Sequence, residues 1–272
     1  MFYQEKYRIQ SLVCDPSDHL SLWGLSRLFQ EVAEGHTFVT GIGYDALIQQ
    51  HKAWVLCRML YEVKQMPKMW DKIVLTTWSR GTNGLFAVRD FRMESEDSKQ
   101  LLASATAYWA VIDFNTRHVT RLHDLMNNYE HHDLISTRYN ELHKLHPPKE
   151  LQNNEKGYQV HNNESSSDSQ YIVQQFVALR SMLDHTHHVN NAEYLKWVSN
   201  HWPCNESFQP FQLQVDYIQE TRLNETITIQ RYPNVIQNCL DLHQQTNDTY
   251  FYQISNSRGI AANIELHFFD AN

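Results

Sequence analysis

The segment Asp184-His-Thr-His-His188-Val-Asn-Asn191 is the densest cluster of groups able to move protons or hold a substrate in this chain of 272 residues. Asp184 and His188 stand four residues apart, and Asn190 and Glu193 have the spacing of a capping box. That spacing predicts a helix starting just after His188. A helix N-terminus exposes N–H groups and partial positive charge, which suit a developing oxyanion. An imidazole just ahead of it is placed for proton transfer, and Asp184 could orient that imidazole or attack directly. The same letters also fit a plain reading, a capped helix preceded by a turn histidine. His185, His187 and His188 raise the question of a metal, but no second cluster with ligand spacing accompanies them among 16 histidines. No metal is expected. Eight glycines, with neither G-x-G-x-x-G nor G-x-x-x-x-G-K-[ST], leave no phosphate-cradling loop, and no cofactor is expected.

The elements that must hold such a site come in two similar sets. In the first half, Leu25, Leu28, Phe29 and Val32 recur at helical spacing, predicting a helix over about 21–38 that Gly41 and Gly43 end. Strand-like runs follow at 54–63, 73–78, 86–93 and 101–112. In the first of them Val55, Cys57, Met59, Tyr61 and Val63 alternate onto one face, with Arg58 and Glu62 on the other. The second half repeats the order: a strand at 172–179, the histidine loop, a helix through Tyr194, Leu195, Trp197 and Val198, then strands at 211–217, 226–231, 250–254 and 260–269. Asp15-Pro-Ser-Asp-His19-Leu20 precedes the first helix as Asp184–Val189 precedes the second, both reading D-x-x-x-H-aliphatic. An internal duplication follows, giving an α+β domain twice over. The expected division is 1–122, a polar linker over 123–170 rich in Asn, His, Glu and Ser with one helix near 134–145, and 171–272.

His188-Val-Asn-Asn-Ala-Glu-Tyr-Leu-Lys-Trp197, behind Asp184, resembles the D-x-N-x-H-V-N-N-x-x-Y signature of plant and bacterial acyl-[acyl carrier protein] thioesterases. Leu28-Phe-Gln-Glu-Val-Ala33, Ala53-Trp-Val-Leu-Cys-Arg58, Thr77-Trp-Ser-Arg-Gly81 and Arg89-Asp-Phe91 resemble the first half of that family, in order. Asp216-Tyr-Ile-Gln-Glu220 is similar to its E-Y-R-R-E-C segment. The resemblance implies two tandem hot-dog domains, each a long helix wrapped by an antiparallel sheet. It implies hydrolysis of acyl-carrier-protein thioesters, releasing free fatty acid with no cofactor. It also carries the catalytic positions onto Asp184, His188 and Glu220, and the family asparagine onto Thr186. A threonine hydroxyl lacks the second donor of a carboxamide. The family cysteine is Thr221 here, so no thiolate attacks from that position. By its own letters Glu220 ends the alternating run 213–220, as a solvated strand-edge residue would. Asn190, Asn191, Trp54 and Arg58 are the substrate-binding candidates. Trp54, Trp78, Trp109 and Phe86 suit an acyl tunnel or an ordinary core. Arg58, Arg89 and Arg92 suit a carrier protein or its phosphopantetheine phosphate.

Charge and composition narrow the partners. Twenty-three Lys+Arg against 31 Asp+Glu give a net charge of −8, which disfavours nucleic acid. No run approaches the ~18 apolar residues of a membrane span, and Met1–Lys6 has no signal-peptide character. The four cysteines are scattered and suit a reducing cytoplasm. The expected partner is an acyl carrier protein bearing a fatty acyl-phosphopantetheine, with no nucleic acid or membrane, and the assembly is a monomer or a homodimer. An acyl-CoA thioesterase of the same fold and a non-catalytic acyl-binding protein are the rival readings.

Overall fold

Ser21 begins the first helix, its hydroxyl accepting the Gly24 N–H at 3.0 Å. In the computed structural model, which describes residues 1–116, 118–126, 129–147, 171–202, 209–233 and 248–269, the chain divides into two compact units, 1–142 and 143–272. The first unit runs β1 (Tyr3–Arg8), α1 (Leu22–Val39), α2 (Tyr44–Ile48), β2 (Lys52–Val63), β3 (Lys72–Asn83), β4 (Phe86–Ser95), β5 (Leu101–Asp113) and the short α3 (His123–Met126). Its strands form an antiparallel sheet in the order β1-β3-β4-β5-β2. The predicted face of α1 is the buried one. Leu25, Phe29 and Val32 are fully covered, and the Phe29 ring packs 5.1 Å from Phe91 and 6.2 Å from Tyr61 on the sheet.

Alternation along β2 fails at one residue. Leu56 pairs with Trp109 and Arg58 with Tyr108, so Cys57 is the extra residue of a bulge and reverses the parity. Leu56, Met59, Tyr61 and Val63 are therefore buried, while Val55 is exposed. Leu60 is buried too, because residues 129–142 cover the other face of the sheet. Leu142 packs with Leu60, Val88 and Tyr108, and Tyr139 joins them. Ser136 N–H donates to Asp90 Oδ2 at 2.6 Å, Thr106 and Thr137 share a hydroxyl bond at 2.8 Å, and Arg58 donates to the Leu142 carbonyl. The helix expected near 134–145 is absent; through 147 that stretch is an irregular strap whose backbone bonds go to sheet side chains. The rest of the expected linker, 148–170, lies outside the described residues.

The second unit runs β6 (Tyr171–Val177), α4 (Asn191–Ser199), β7 (Phe211–Tyr217), β8 (Thr226–Pro233), β9 (Asp248–Asn256) and β10 (Gly259–Phe268). Its sheet order is β7-β10-β9-β8-β6, antiparallel throughout. Leu195 and Val198 of α4 are fully buried, and Tyr194 and Trp197 nearly so. Each unit is thus a helix on an antiparallel sheet, the hot-dog arrangement. The second helix has nine residues against eighteen, so only the first is long. No described helix is long and apolar enough to cross a membrane.

Gly24 shows how tightly α1 meets the turn before it. A Cβ there would sit 2.5 Å from the Val13 carbonyl oxygen and 2.9 Å from Leu20 Cδ1. That carbonyl also accepts the Ser21 N–H and hydroxyl, both at 2.9 Å, so it cannot retreat without undoing the cap. Helix propensity alone favours alanine over glycine by about 1 kcal/mol, but overpacking costs about 1–3 kcal/mol. Sterics win, and Gly24→Ala is expected to lower the melting temperature by several degrees in a thermal melt; a rise would show that the turn yields.

Candidate active site

The loop before α4 closes on itself. Asp184 Oδ1 accepts the Thr186 N–H at 2.8 Å and the Thr186 hydroxyl at 2.6 Å, and Asp184 N–H donates to the His188 carbonyl at 2.9 Å. His187 takes a left-handed φ of 65° to complete the turn. Val189, buried, anchors the loop by donating its N–H to the Thr221 carbonyl at 2.8 Å. Asn190 then caps α4, accepting the Ala192 N–H at 2.9 Å on its side chain and the Glu193 N–H at 2.9 Å on its carbonyl. The Glu193 carboxylate lies 3.7 Å from Lys196 Nζ.

Four predicted residues meet here. His188 Nδ1 is 3.2 Å from the Thr186 hydroxyl, and His188 Nε2 is 3.0 Å from Glu220 Oε2. Asp184, Thr186, His188 and Glu220 therefore form one hydrogen-bonded row. Thr186 has a single hydroxyl hydrogen. Spent on Asp184, it leaves a lone pair for His188, so Nδ1 must be the donor in that bond. Nε2 is then the nitrogen that exchanges a proton with Glu220. Glu220 does not end a strand as its alternation suggested; it lies three residues past β7, in the turn leading to β8. His188 and Glu220 keep 34% and 39% of their side-chain surface exposed, so substrate and water can reach both.

The sequence reading missed the residue that completes the row. Arg222 contacts Glu220 Oε1 through Nε at 3.0 Å and again through Nη2, leaving Oε2 to His188. A backbone bridge pairs His188 with Arg222. The Arg222 N–H donates to Glu225 Oε2 at 2.8 Å, and Arg258 binds both Glu225 and the Glu220 carbonyl. Burial raises the Glu225 carboxyl, but the Arg258 bond and the Arg222 N–H outweigh it and hold it below its ordinary value. The available signal was a carboxylate and a guanidinium two residues apart in a turn, a pattern common on solvated surfaces. Thr221 is fully buried and accepts from the Tyr194 hydroxyl at 2.7 Å and Asn256 Nδ2 at 3.2 Å. Burial raises the Tyr194 phenol to about 12.

The first unit builds the same loop. Asp15 Oδ1 accepts the Ser17 N–H at 2.9 Å and its hydroxyl at 2.7 Å; Ser17 Oγ is 3.3 Å from His19 Nδ1; Asp18 has a φ of 61°; and His19 bridges Lys68. The paired backbone bonds agree as well: Lys64 and Gln65 donate to the Leu102 carbonyl as Ile218 and Gln219 donate to that of Ala261. This register puts buried Met66 opposite Glu220 and Lys68 opposite Arg222.

The remaining candidates make structural contacts within their own units. Asn190 is the helix cap, and the Asn191 carbonyl accepts the Tyr217 hydroxyl at 3.1 Å. Trp54, in the first unit, donates its ring N–H to the Ile42 carbonyl at 2.8 Å and packs on the Leu47 and Val111 cluster with Trp109. Arg58 holds the strap at Leu142 and lies over the Tyr108 ring, 5.7 Å from its centroid, where Phe86 also packs. Trp78 is fully buried, its N–H on the Leu134 carbonyl at 2.9 Å. Arg89 is no surface residue. It is buried, bonded to His36 Nδ1 at 2.8 Å, Thr77 and Tyr129, and burial together with that cation lowers His36 to about 3, keeping the imidazole a neutral acceptor. Among the described residues no three metal-ligating side chains converge. The Cys14 and Cys57 thiols donate to the Gln10 and Val55 carbonyls at 3.3 and 3.6 Å; Cys204 and Cys239 lie outside the described residues.

Residues 1–129 match the acyl-ACP thioesterase N-terminal domain, and residues 165–265 match its C-terminal domain. The chain is 25% identical over 253 residues to oleoyl-acyl carrier protein thioesterase 2 of Arabidopsis thaliana, covering 86% of this chain and 64% of that protein. It is 22% identical to the palmitoyl-acyl carrier protein thioesterase of Gossypium hirsutum, covering 81% and 52%. Both relatives are described as chloroplastic, and the chain spans only about half to two thirds of their length. An acyl-ACP thioesterase from Bacteroides thetaiotaomicron shares the fold with a TM-score of 0.73 at 18% identity, covering 98% of each chain. A 12:0-ACP thioesterase from Umbellularia californica does so with a TM-score of 0.73 at 16% identity, covering 98% and 97%. Matched in order by both of its domains over most of the sequence, the chain belongs to the acyl-ACP thioesterase family.

Proposed function

We propose that this chain hydrolyses the thioester of a fatty acyl group carried on acyl carrier protein, releasing free fatty acid, and that Asp184, Thr186, His188 and Glu220 carry the reaction. The observation that supports it most is the 3.0 Å contact between His188 Nε2 and Glu220 Oε2, with the Thr186 hydroxyl on the other ring nitrogen.

The chemistry balances with these groups alone. The ionised Glu220 takes a proton from water as the water oxygen bonds to the thioester carbonyl carbon. The partial positive charge at the α4 N-terminus favours the oxyanion that forms. The doubly protonated His188 gives its Nε2 proton to sulfur as the carbon–sulfur bond breaks, so the thiol leaves neutral. The proton on Glu220 then crosses to His188 Nε2 and restores the starting state. Asp184, both of its Thr186 contacts on Oδ1, orients the row and does not attack. Thr186 replaces the family asparagine in the one task this geometry gives the position, holding Nδ1 as a donor.

The same reading makes the partner an acyl carrier protein with its fatty acyl-phosphopantetheine, the setting a reducing cytoplasm, and the assembly a monomer or homodimer. Hydrolysis of the same acyl chain on carrier protein and on CoA tests it under single-turnover conditions. The expected result is a kcat/KM at least about tenfold higher on the carrier protein. Equal or better turnover on CoA would reassign the substrate, and acyl binding without turnover would replace the enzyme with a binding protein.

A further inference from the structure

Both units close the same loop with an aspartate, a hydroxyl and a histidine, and both anchor it through the same backbone bonds. The first unit does this with Met66 and Lys68 where the second has Glu220 and Arg222. In the second unit a carboxylate faces the imidazole and a guanidinium faces the carboxylate.

We propose, resting on the function proposed above, that Arg222 is a positioning residue for the reaction: by occupying Glu220 Oε1 it turns Oε2 onto His188 Nε2 and keeps the carboxylate in the orientation that accepts a proton from water. A glutamate in a turn has three rotatable side-chain bonds and no strand pairing to restrict them. With one oxygen on the Arg222 Nε and Nη2 and the other on His188, its rotation is stopped. Arg222 is in turn fixed at its own backbone by Glu225 and by the bridge to His188, so loop, acid and guanidinium share one frame. The pair is half-exposed, at 51% and 39% of side-chain surface, and such pairs add little to folding stability. Its effect falls on geometry, where small displacements weigh heavily on rate.

The charges facing Glu220 are His188 from the loop, Arg222 from the same turn and Arg258 from the β9–β10 turn, with Glu225 bound to Arg258 and Asp184 reaching the row through Thr186.

The test is single-turnover hydrolysis of an acyl-carrier-protein thioester by wild type, R222A, R222K and K68A, with E220Q and H188A alongside. The expected R222A result is a rate about tenfold lower with KM within twofold and an unchanged melting temperature. R222K is expected to restore only part of the rate, since an ammonium lacks the planar fork. K68A, at the matching position of the first unit, is expected to behave as wild type. The proposal is overturned if E220Q and H188A lose activity while R222A keeps the wild-type rate, or if K68A falls as far as R222A. Full activity in both E220Q and H188A would instead remove the catalytic reading on which it rests.

Discussion

Glu220→Gln and His188→Ala are each expected to cut single-turnover thioester hydrolysis by about a hundredfold or more, the scale of a lost general acid or base. Glutamine keeps the shape of Glu220 but cannot take a proton from water, and alanine at 188 removes the donor to sulfur. Neither change should unfold the chain. The two side chains are more than a third exposed, or nearly so, and such an ion pair contributes only about 0–1 kcal/mol. Melting temperatures within a few degrees of wild type are therefore expected beside the lost rate. On the proposed reaction one proton passes between the two groups, so E220Q/H188A should be about as slow as the slower single variant. Multiplicative losses would mean that the two residues act separately, and a rapid-quench measurement of released fatty acid decides between these outcomes.

Asp90→Ala is expected to have the opposite profile, a large loss of stability at a residue outside the proton-transfer row. Asp90 is fully buried on β4 and lies 3.6 Å from the Arg80 guanidinium, which is itself only 10% exposed. Its carboxylate also receives the Thr106 hydroxyl at 2.8 Å and the Ser136 N–H at 2.6 Å. Alanine would strand all three, and removing one partner of a buried pair costs about 3–5 kcal/mol. A fall in melting temperature of about 10 °C follows for a chain of this size. The pH dependence gives a second readout. Burial raises the Asp90 carboxyl, and the Ser136 N–H, Arg80 and Thr106 offset only part of that. A carboxyl raised on folding stabilises the folded state while protonated. That contribution is complete below the unfolded pKa and is lost as pH rises through the folded one. The wild-type chain should shed this component of stability as the pH climbs through the acid range, and the alanine variant should lack it. Equal melting temperatures for the two proteins would show that the strap does not depend on Asp90.

The elements easiest to read in the letters were those governed by local rules. Leu25, Phe29 and Val32 mark α1 because a helix on a sheet must bury one stripe, and Asn190 marks the start of α4 because its side chain is the right length to cap. The row Asp184, Thr186, His188 and Glu220 was legible through the family resemblance, since nothing in spacing alone brings position 220 beside 188. Three features escaped for physical reasons. The bulge at Cys57 is a property of pairing with β5, invisible in the alternation of β2 alone. The strap over 129–142 is polar in composition because it binds through backbone groups and hydroxyls, with Tyr139 and Leu142 as its apolar anchors, so it reads as a linker although it covers a sheet face. Arg222 escaped because an arginine two residues from a glutamate is ordinary until its partner's other oxygen is seen on an imidazole.

The copied loop in the first unit gives this protein an internal ledger of mutational tolerance. On the proposed function, substitutions at 184–188 and 220 are expected to lower turnover, whereas those at the counterparts 15–19 and 66, where Met66 is buried, are expected to tell on folding alone. A scan of every substitution at both sets, scored once for abundance and once for activity, would separate folding demands from chemical ones position by position within one molecule.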